Sequence, residues 1–345
     1  MDRVSDIAKC LGLQRAANGN YHCFNKAAHR RGDKNASLGI SDKGFHCFAC
    51  GISGNNTDLV MQVLNISRSE AVQWLKANGK GFADRGKKAK EKPQPAKYIP
   101  PAVVEKYRVY NPDNPFFMGI ERLNLHLAHH AYEWHLGTGK GNSTLFLYRD
   151  ISGHYCNAKA IFYNESLKRN KEIPPRYLYK KTDGYKLPLY GENFLKDAPA
   201  GACVALVESE KTAILASYAM PDIYWLAVGG SNGLTEEKAA ILRGYSVSIA
   251  FDADTAGRAA RERTIKLLNS LSIPAKSLNL FPGRNDGYDL ADHFINKLLW
   301  LKQETEKLSA RDLQRFKDMA TIKEEREGIG RYKAEMMALK ELKGI

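Results

Sequence analysis

Beyond Ala200, three apolar, strand-like runs each lead into acidic residues, and no other feature of the chain restricts its fold as strongly. Cys203 to Val207 ends at Glu208, and Ser209 through Tyr218 follows with helical spacing. Val247 to Phe251 ends at Asp252-Ala253-Asp254, with Gly257 and a basic helical pattern after it. Ser277 to Leu280 leads toward Asp289 and Asp292. Strands alternating with helices predict βαβ units and a parallel sheet. In such a sheet, carboxylates at the C-terminal ends of neighbouring strands converge on one edge, where open α/β folds place their ligands. Carboxylates without His or Cys suit hard divalent ions such as Mg²⁺ or Mn²⁺. Any one of these acids alone would more often cap a helix or sit in a solvated turn, but four at strand ends in order do not fit that reading.

A second pattern lies near the N-terminus. Cys23, His29, Cys47 and Cys50 form two ligand pairs, with room between them for a β-hairpin turning at Asp42, Lys43 and Gly44. Four soft or borderline donors are what tetrahedral zinc requires. Cys47-Phe48-Ala49-Cys50-Gly51 is the stronger half, because a Gly after the second Cys lets backbone amides turn toward the thiolates. In the looser first half, His22 or His46 could stand in for His29. A redox dithiol at Cys47 and Cys50 would belong between a strand and a helix of a βαβ unit, whereas a polar, Gly-rich turn follows here. Six cysteines in 345 residues are too few for a disulfide scaffold.

A chain of this length exceeds one ordinary core. The expected division is a metal-binding domain over 1–79, a linker over 80–100, a mixed α and β subdomain over 101–200, the parallel-sheet domain over 201–297, and a charged helical tail over 298–345. Ser67 with Glu70, and Ser309 with Asp312, have the spacing of helix caps. The formal charge of +14 suits a polyanionic partner. Lys and Arg crowd the linker, where Pro93 and Pro95 oppose regular structure, so it reads as a basic flexible segment or as a simple solvated spacer. No apolar run is long enough to span a bilayer, and the first residues lack a signal-peptide pattern, so a cytoplasmic protein is expected.

Two features look like sites and are not read as such. Gly137-Thr138-Gly139-Lys140-Gly141 lacks the first Gly and the following Ser/Thr of a phosphate loop. His126, His129 and His130 have helical spacing but no acidic partner nearby, which favours a mixed helix surface over a second zinc site.

The N-terminal pattern resembles the zinc domain of bacterial and phage-type primases. It carries Asp33-Lys34-Asn35-Ala36-Ser37-Leu38, then Phe45-His46-Cys47-Phe48-Ala49-Cys50-Gly51 and Gly54-Asn55, departing from the family at the widened first ligand pair and at Ala36. The acidic pattern resembles the TOPRIM domain of primases, topoisomerases and some nucleases: Val207-Glu208-Ser209-Glu210-Lys211, Gly229-Gly230-Ser231-Asn232-Gly233, and Phe251-Asp252-Ala253-Asp254 with Gly257-Arg258. This resemblance implies an α/β chain with an N-terminal zinc ribbon, a mixed α+β primase subdomain, a TOPRIM parallel-sheet domain and C-terminal helices. It makes Glu208, Asp252 and Asp254 catalytic and magnesium-binding, with Asp289 or Asp292 as the third acidic motif. Thr212 stands where the family often has Asp, and Glu210 is the candidate substitute.

By the same resemblance, the ribbon reads template DNA through Lys34, Lys43, Phe45 and Phe48, while basic residues before the TOPRIM domain line a template and nucleotide groove. The candidates there are Arg149, Lys159, Arg176, Lys186 and Lys211, within a stretch where Lys and Arg alternate with Tyr177, Tyr179 and Tyr185, a pattern suited to tracking a single strand. The implied activity is synthesis of short RNA primers on single-stranded DNA from ribonucleoside triphosphates, with one structural Zn²⁺, catalytic Mg²⁺ or Mn²⁺, and a replicative helicase supplied in trans. The alternatives are a TOPRIM nuclease and a non-catalytic zinc/TOPRIM recombination mediator.

Overall fold

The computed structural model describes residues 4–29, 33–41, 44–78, 96–230 and 233–345, which fall into two compact units, 1–94 and 95–345. Most of the expected linker lies outside the described residues. Its last residues belong to the second unit, where the Ile99 amide donates to the Tyr155 carbonyl at 2.7 Å.

The first unit begins with α1 (Val4–Cys10), continues into an antiparallel sheet of β1 (Leu38–Ser41), β2 (Gly44–Cys47) and β3 (Ser53–Gly54), and ends in α2 (Asn56–Leu64) and α3 (Arg68–Asn78). Ser41 pairs with Gly44, so a two-residue connection joins β1 to β2; its residues, Asp42 and Lys43, lie outside the described set. Alternation sends Phe45 and Cys47 to the buried face, where they meet Leu38, Leu59, Val60 and Leu75. Asn55 caps α2 in a reciprocal box with Asp58. The expected cap on α3 is present too, with Glu70 accepting from the Ser67 amide at 2.8 Å.

The second unit opens with α4 (Pro101–Tyr107), α5 (Pro115–Leu123) and α6 (Leu125–Glu133). An antiparallel sheet follows, in the order β4 (Leu136–Thr138), β5 (Thr144–Arg149), β6 (Tyr155–Ile161) and β7 (Arg176–Tyr177). Next come β8 (Cys203–Val207), α7 (Glu210–Ala219), β9 (Tyr224–Ala227), α8 (Glu236–Ala239), β10 (Ser246–Ile249), α9 (Thr255–Ser270), β11 (Ala275–Ser277), α10 (Leu290–Glu306), α11 (Ala310–Glu327) and α12 (Arg331–Lys343). Their four strands form a parallel sheet in the order β11-β10-β8-β9. Both faces are covered, as the near-continuous apolar strands require. Ala205 and Val207 pack with Ile214 of α7 and Leu298 of α10, whereas Val204 and Leu206 pack with Leu242, Ala260 and Leu268 on the other side.

Three sequence expectations change. The third strand is Ala275–Ser277 rather than Ser277 to Leu280, because register with β10 sets Ser277 opposite Ile249. The boundary drawn at 297/298 falls inside α10, whose buried Leu290, Phe294, Leu298 and Leu301 form one uninterrupted helical stripe. Nor is 101–200 separate from 201–297: Phe146 and Tyr148 share a core with Val207 and α7. The tail continues the same body, with Tyr332 of α12 against Phe294 and Tyr218. No helix among the described residues is long and apolar enough to cross a membrane.

Candidate metal centres

In the first unit, β2, the knuckle after it and the loop before β1 bring Cys23, His29, Cys47 and Cys50 together, with ligand atoms all within 4.8 Å of one another. Gly51 takes φ +75°, and its amide returns to the Cys47 carbonyl at 2.9 Å. That left-handed turn suits Gly and closes the knuckle. His29, rather than His22 or His46, is the fourth member. His46 is exposed on β2, and His22 faces the Asp33 carbonyl at 3.0 Å. In the sequence Asp33 is one residue of a motif, and the structure gives it a specific place. It is 6% exposed, and its Oδ1 lies 3.2 Å from His29 Nδ1. The same carboxylate accepts from the Cys23 amide at 2.5 Å and from the Ser37 hydroxyl at 2.7 Å. A carboxylate on one ring nitrogen fixes the His tautomer and leaves Nε2 free for an ion. Nε2 faces the cluster, 3.5 Å from Cys47 Sγ. This Cys3His group could hold zinc.

The aromatic candidates of this unit separate. Phe45 is buried against Phe24 and cannot stack on a base, which corrects the sequence expectation. Phe48 is 72% exposed, and Lys34 is exposed as well.

In the second unit, strand order reverses between β9 and β10, so a crevice opens beyond the C-terminal ends of β8 and β10. Glu208 follows β8, and Asp252 and Asp254 follow β10. Two of the acids at this edge are helix caps. Asp254 accepts from the Gly257 amide at 2.6 Å, and Asp289 accepts from the Asp292 amide at 2.8 Å. Gly257 is required by proximity, since a Cβ there would stand 2.3 Å from the Asp252 carbonyl oxygen. Burial, then the neighbouring carboxylates of Asp289, Glu208 and Asp254, push the Asp252 carboxyl up to about 8. Burial foremost, with Asp254 and Asp289, also raises Glu208, and its buried Oε1 has no hydrogen-bond partner. Carboxyl groups are therefore crowded at the crevice, with Lys211 and Arg263 offsetting only part of their mutual repulsion. These carboxylates are not gathered as tightly as the Cys3His group.

Asp289 and Asp292 differ in their surroundings. Asp289 Oδ2 accepts from the Thr212 hydroxyl at 2.8 Å and adds its field to Asp252 and Glu208. Asp292 instead pairs with Lys168 at 2.5 Å and lies 4.0 Å from Lys211. Glu210 is 1% exposed and bound to Lys159 at 2.8 Å, with the Tyr148 hydroxyl donating to the same oxygen.

Several basic candidates are engaged within the protein. Lys159 is 5% exposed and spends its ammonium on Glu210 and on the Gly229 carbonyl at 3.1 Å. Lys211 is buried, donating to the Leu167 carbonyl at 3.3 Å. Arg149 is engaged by the Gly153 carbonyl at 2.7 Å, by His135 and by the Tyr155 ring. Arg176 and Lys186 remain exposed, the latter 3.2 Å from Glu237. Of the three spaced histidines, His130 turns inward to Ser217, 2.7 Å away, and burial lowers it to about 4, while His126 and His129 are exposed. The Lys159–Glu210–Tyr148 junction had no signal in the sequence, because its members lie on β6, α7 and β5.

A family model described as a domain of unknown function, DUF6371, matches residues 117–253. No curated protein matches the chain. Among solved structures, the zinc-binding and RNA polymerase domains of the Aquifex aeolicus primase align over 100% of this chain and 98% of that one, at 17% identity and TM-score 0.36. The RNA polymerase domain of Mycobacterium tuberculosis primase DnaG aligns over 62% and 88%, at 15% identity and TM-score 0.41. The primase fragment of the bacteriophage T7 primase-helicase aligns over 77% and 94%, at 15% identity and TM-score 0.38.

Proposed function

We propose that this chain is a DNA primase, joining ribonucleoside triphosphates into short RNA on single-stranded DNA by divalent-metal-dependent nucleotidyl transfer. The observation that carries the reading is the crowded acidic crevice, where the Glu208 Oε1 is buried without a hydrogen-bond partner and burial, with three neighbouring carboxylates, raises Asp252. An all-oxygen donor set with excess negative charge fits Mg²⁺ or Mn²⁺. The side chains that would hold it are Glu208, Asp252 and Asp254. Asp289 is the third acidic motif in preference to Asp292, whose charge is already offset by Lys168.

When bound, the ion supplies positive charge that lowers the pKa of an attacking 3′-hydroxyl and offsets charge on a leaving pyrophosphate. The residues of the chain prepare that environment. The first turns of α9 and α10 hold the Asp254 and Asp289 carboxylates before any ligand arrives. Thr212 donates to Asp289 and so keeps one more acid oriented without adding a fifth negative charge. Arg176 and Lys186 are the exposed cations available to template phosphates, and affinity for single strands should fall steeply with salt as counterions are released. A replicative helicase supplied in trans completes the expected partners.

Incubating the chain with single-stranded DNA, ribonucleoside triphosphates and Mg²⁺ or Mn²⁺ should yield short RNA. Metal-dependent cleavage of DNA without RNA product would replace this reading with a nuclease, and DNA binding with neither reaction would replace it with a recombination mediator.

The ribbon makes a separate prediction. One equivalent of Zn²⁺ should be held by Cys23, His29, Cys47 and Cys50, with Asp33→Asn lowering zinc affinity about 10–100-fold through the His29 ring. Full zinc retention in a Cys47→Ser, Cys50→Ser double variant would remove the assignment.

A further inference from the structure

We infer that the acidic crevice takes one divalent ion rather than two, because Lys168 and Lys211 occupy Asp292, the carboxylate a second ion would need. The inference deepens the metal-dependent reading above and rests on it. Paired-metal centres set two ions about 3.5–4 Å apart between shared ligands. Glu208, Asp252, Asp254, Asp289 and Asp292 would be enough carboxylates for such a pair. The last two open α10, and their surroundings differ. Asp289 accepts from neutral donors, the Thr212 hydroxyl at 2.8 Å and the Asp292 amide at 2.8 Å, which leaves its charge available. Asp292 Oδ1 instead meets two ammoniums, Lys168 at 2.5 Å and Lys211 at 4.0 Å.

Both lysines are held where they stand. Lys211 lies in the first turn of α7 and is buried, where an ammonium must keep a compensating partner. It also donates to the Leu167 carbonyl at 3.3 Å, so the two ammoniums are tied to one loop. That loop is closely built. Asn164 Oδ1 accepts from the Ser166 amide at 3.1 Å and the Lys168 amide at 2.9 Å, and the Asn164 amide donates to the Lys168 carbonyl at 3.0 Å. Leu167 is 1% exposed with φ +58°, a left-handed conformation that persists only where the surroundings fix it. Gly119 of α5 makes room for the loop, since a Cβ there would stand 2.6 Å from the Glu165 carbonyl oxygen. Lys168 is therefore presented to Asp292 by an anchored turn rather than by a loose strand of chain.

A second divalent ion at Asp292 would face two positive charges at close range, and solvent screens partly buried charges poorly. Displacing the ammoniums would leave the buried Lys211 without its carboxylate, which is costly in its turn. One ion beside the partnerless Glu208 Oε1, with Asp252 and Asp254, avoids both penalties.

The test counts Mn²⁺ bound to the full, zinc-loaded chain by electron paramagnetic resonance of the free ion, with no nucleotide or DNA present. Wild type should bind one Mn²⁺, and Asp252→Asn should lose it. Lys168→Ala combined with Lys211→Met should bind two, and adding Asp292→Asn should return the count to one. The Lys168 side chain is 60% exposed, so Lys168→Ala reports even if the double variant fails to fold, and it should gain a second, weaker Mn²⁺. Two Asp292-dependent ions on the wild type would overturn the inference and leave a metal-binding crevice standing. So would a count that stays at one in the folded double variant, or in Lys168→Ala where the double variant does not fold. No bound Mn²⁺, or binding indifferent to Asp252→Asn, would instead remove the metal-dependent reading and this inference with it.

Discussion

Asp252→Asn should reduce RNA synthesis by roughly a hundredfold to a thousandfold, the scale of losing one electrostatic contact at a reacting centre, while raising the melting temperature of the metal-free chain. The substitution keeps the shape of the side chain and removes a carboxyl that burial, with Glu208, Asp254 and Asp289, pushes up to about 8, so that folding near neutral pH must otherwise either take up a proton there or bury a charge among like charges. Like charges buried together oppose folding, so neutralising one relieves the fold. The same charge is what a divalent ion would use. Added Mg²⁺ or Mn²⁺ should therefore raise the melting temperature of the wild type and have little effect on the variant. Calorimetry with and without metal, alongside a primer-extension assay, reads both halves. A variant less stable than the wild type without metal, or one that still makes RNA at the wild-type rate, would contradict this account of the crevice.

Lys159→Ala should cost about 3–5 kcal/mol of stability, the usual price of stripping one partner from a buried ion pair. Glu210 is 1% exposed, and its Oε2 has no hydrogen-bond partner. Without the ammonium, only the Tyr148 hydroxyl would remain to hold that charge. Denaturant unfolding measures the loss. Lys159→Met with Glu210→Gln should recover part of it, since the uncompensated charge is then gone. If Lys159 instead lay in a template groove, its replacement would flatten the salt dependence of DNA binding and leave stability near wild type. That outcome would reverse the assignment made here.

Exposed and buried lysines are indistinguishable as letters. The basic run ahead of the parallel sheet has the composition of a strand-tracking groove, yet its members meet different fates. Lys168 pairs with Asp292, Lys159 and Lys211 turn into the protein, and Arg176 stays open. Phe45 and Phe48 divide in the same way, although three residues apart. Burial depends on which face of a strand meets another layer, and that is set by partners distant in sequence.

Local rules fared differently. Ser67 with Glu70, Ser309 with Asp312, and the Gly after Cys50 act over three or four residues, so their geometry follows from the chain alone. The metal ligands Cys47 and Cys50 are equally local. The choice of His29 over His22 and His46 is not, because it required the loop to fold back so that Asp33 could grip the ring.

The alternation of apolar runs with helical spacing was enough to determine a parallel sheet with acidic residues beyond its strand ends, because strand and helix periods are properties of consecutive residues. Tertiary structure decided the rest. The order β11-β10-β8-β9 sets Glu208 beside Asp252, and the packing of α10 turns Asp289 toward them and Asp292 toward lysine. Those outcomes depend on residues tens of positions apart meeting in space, and no window of sequence contains both.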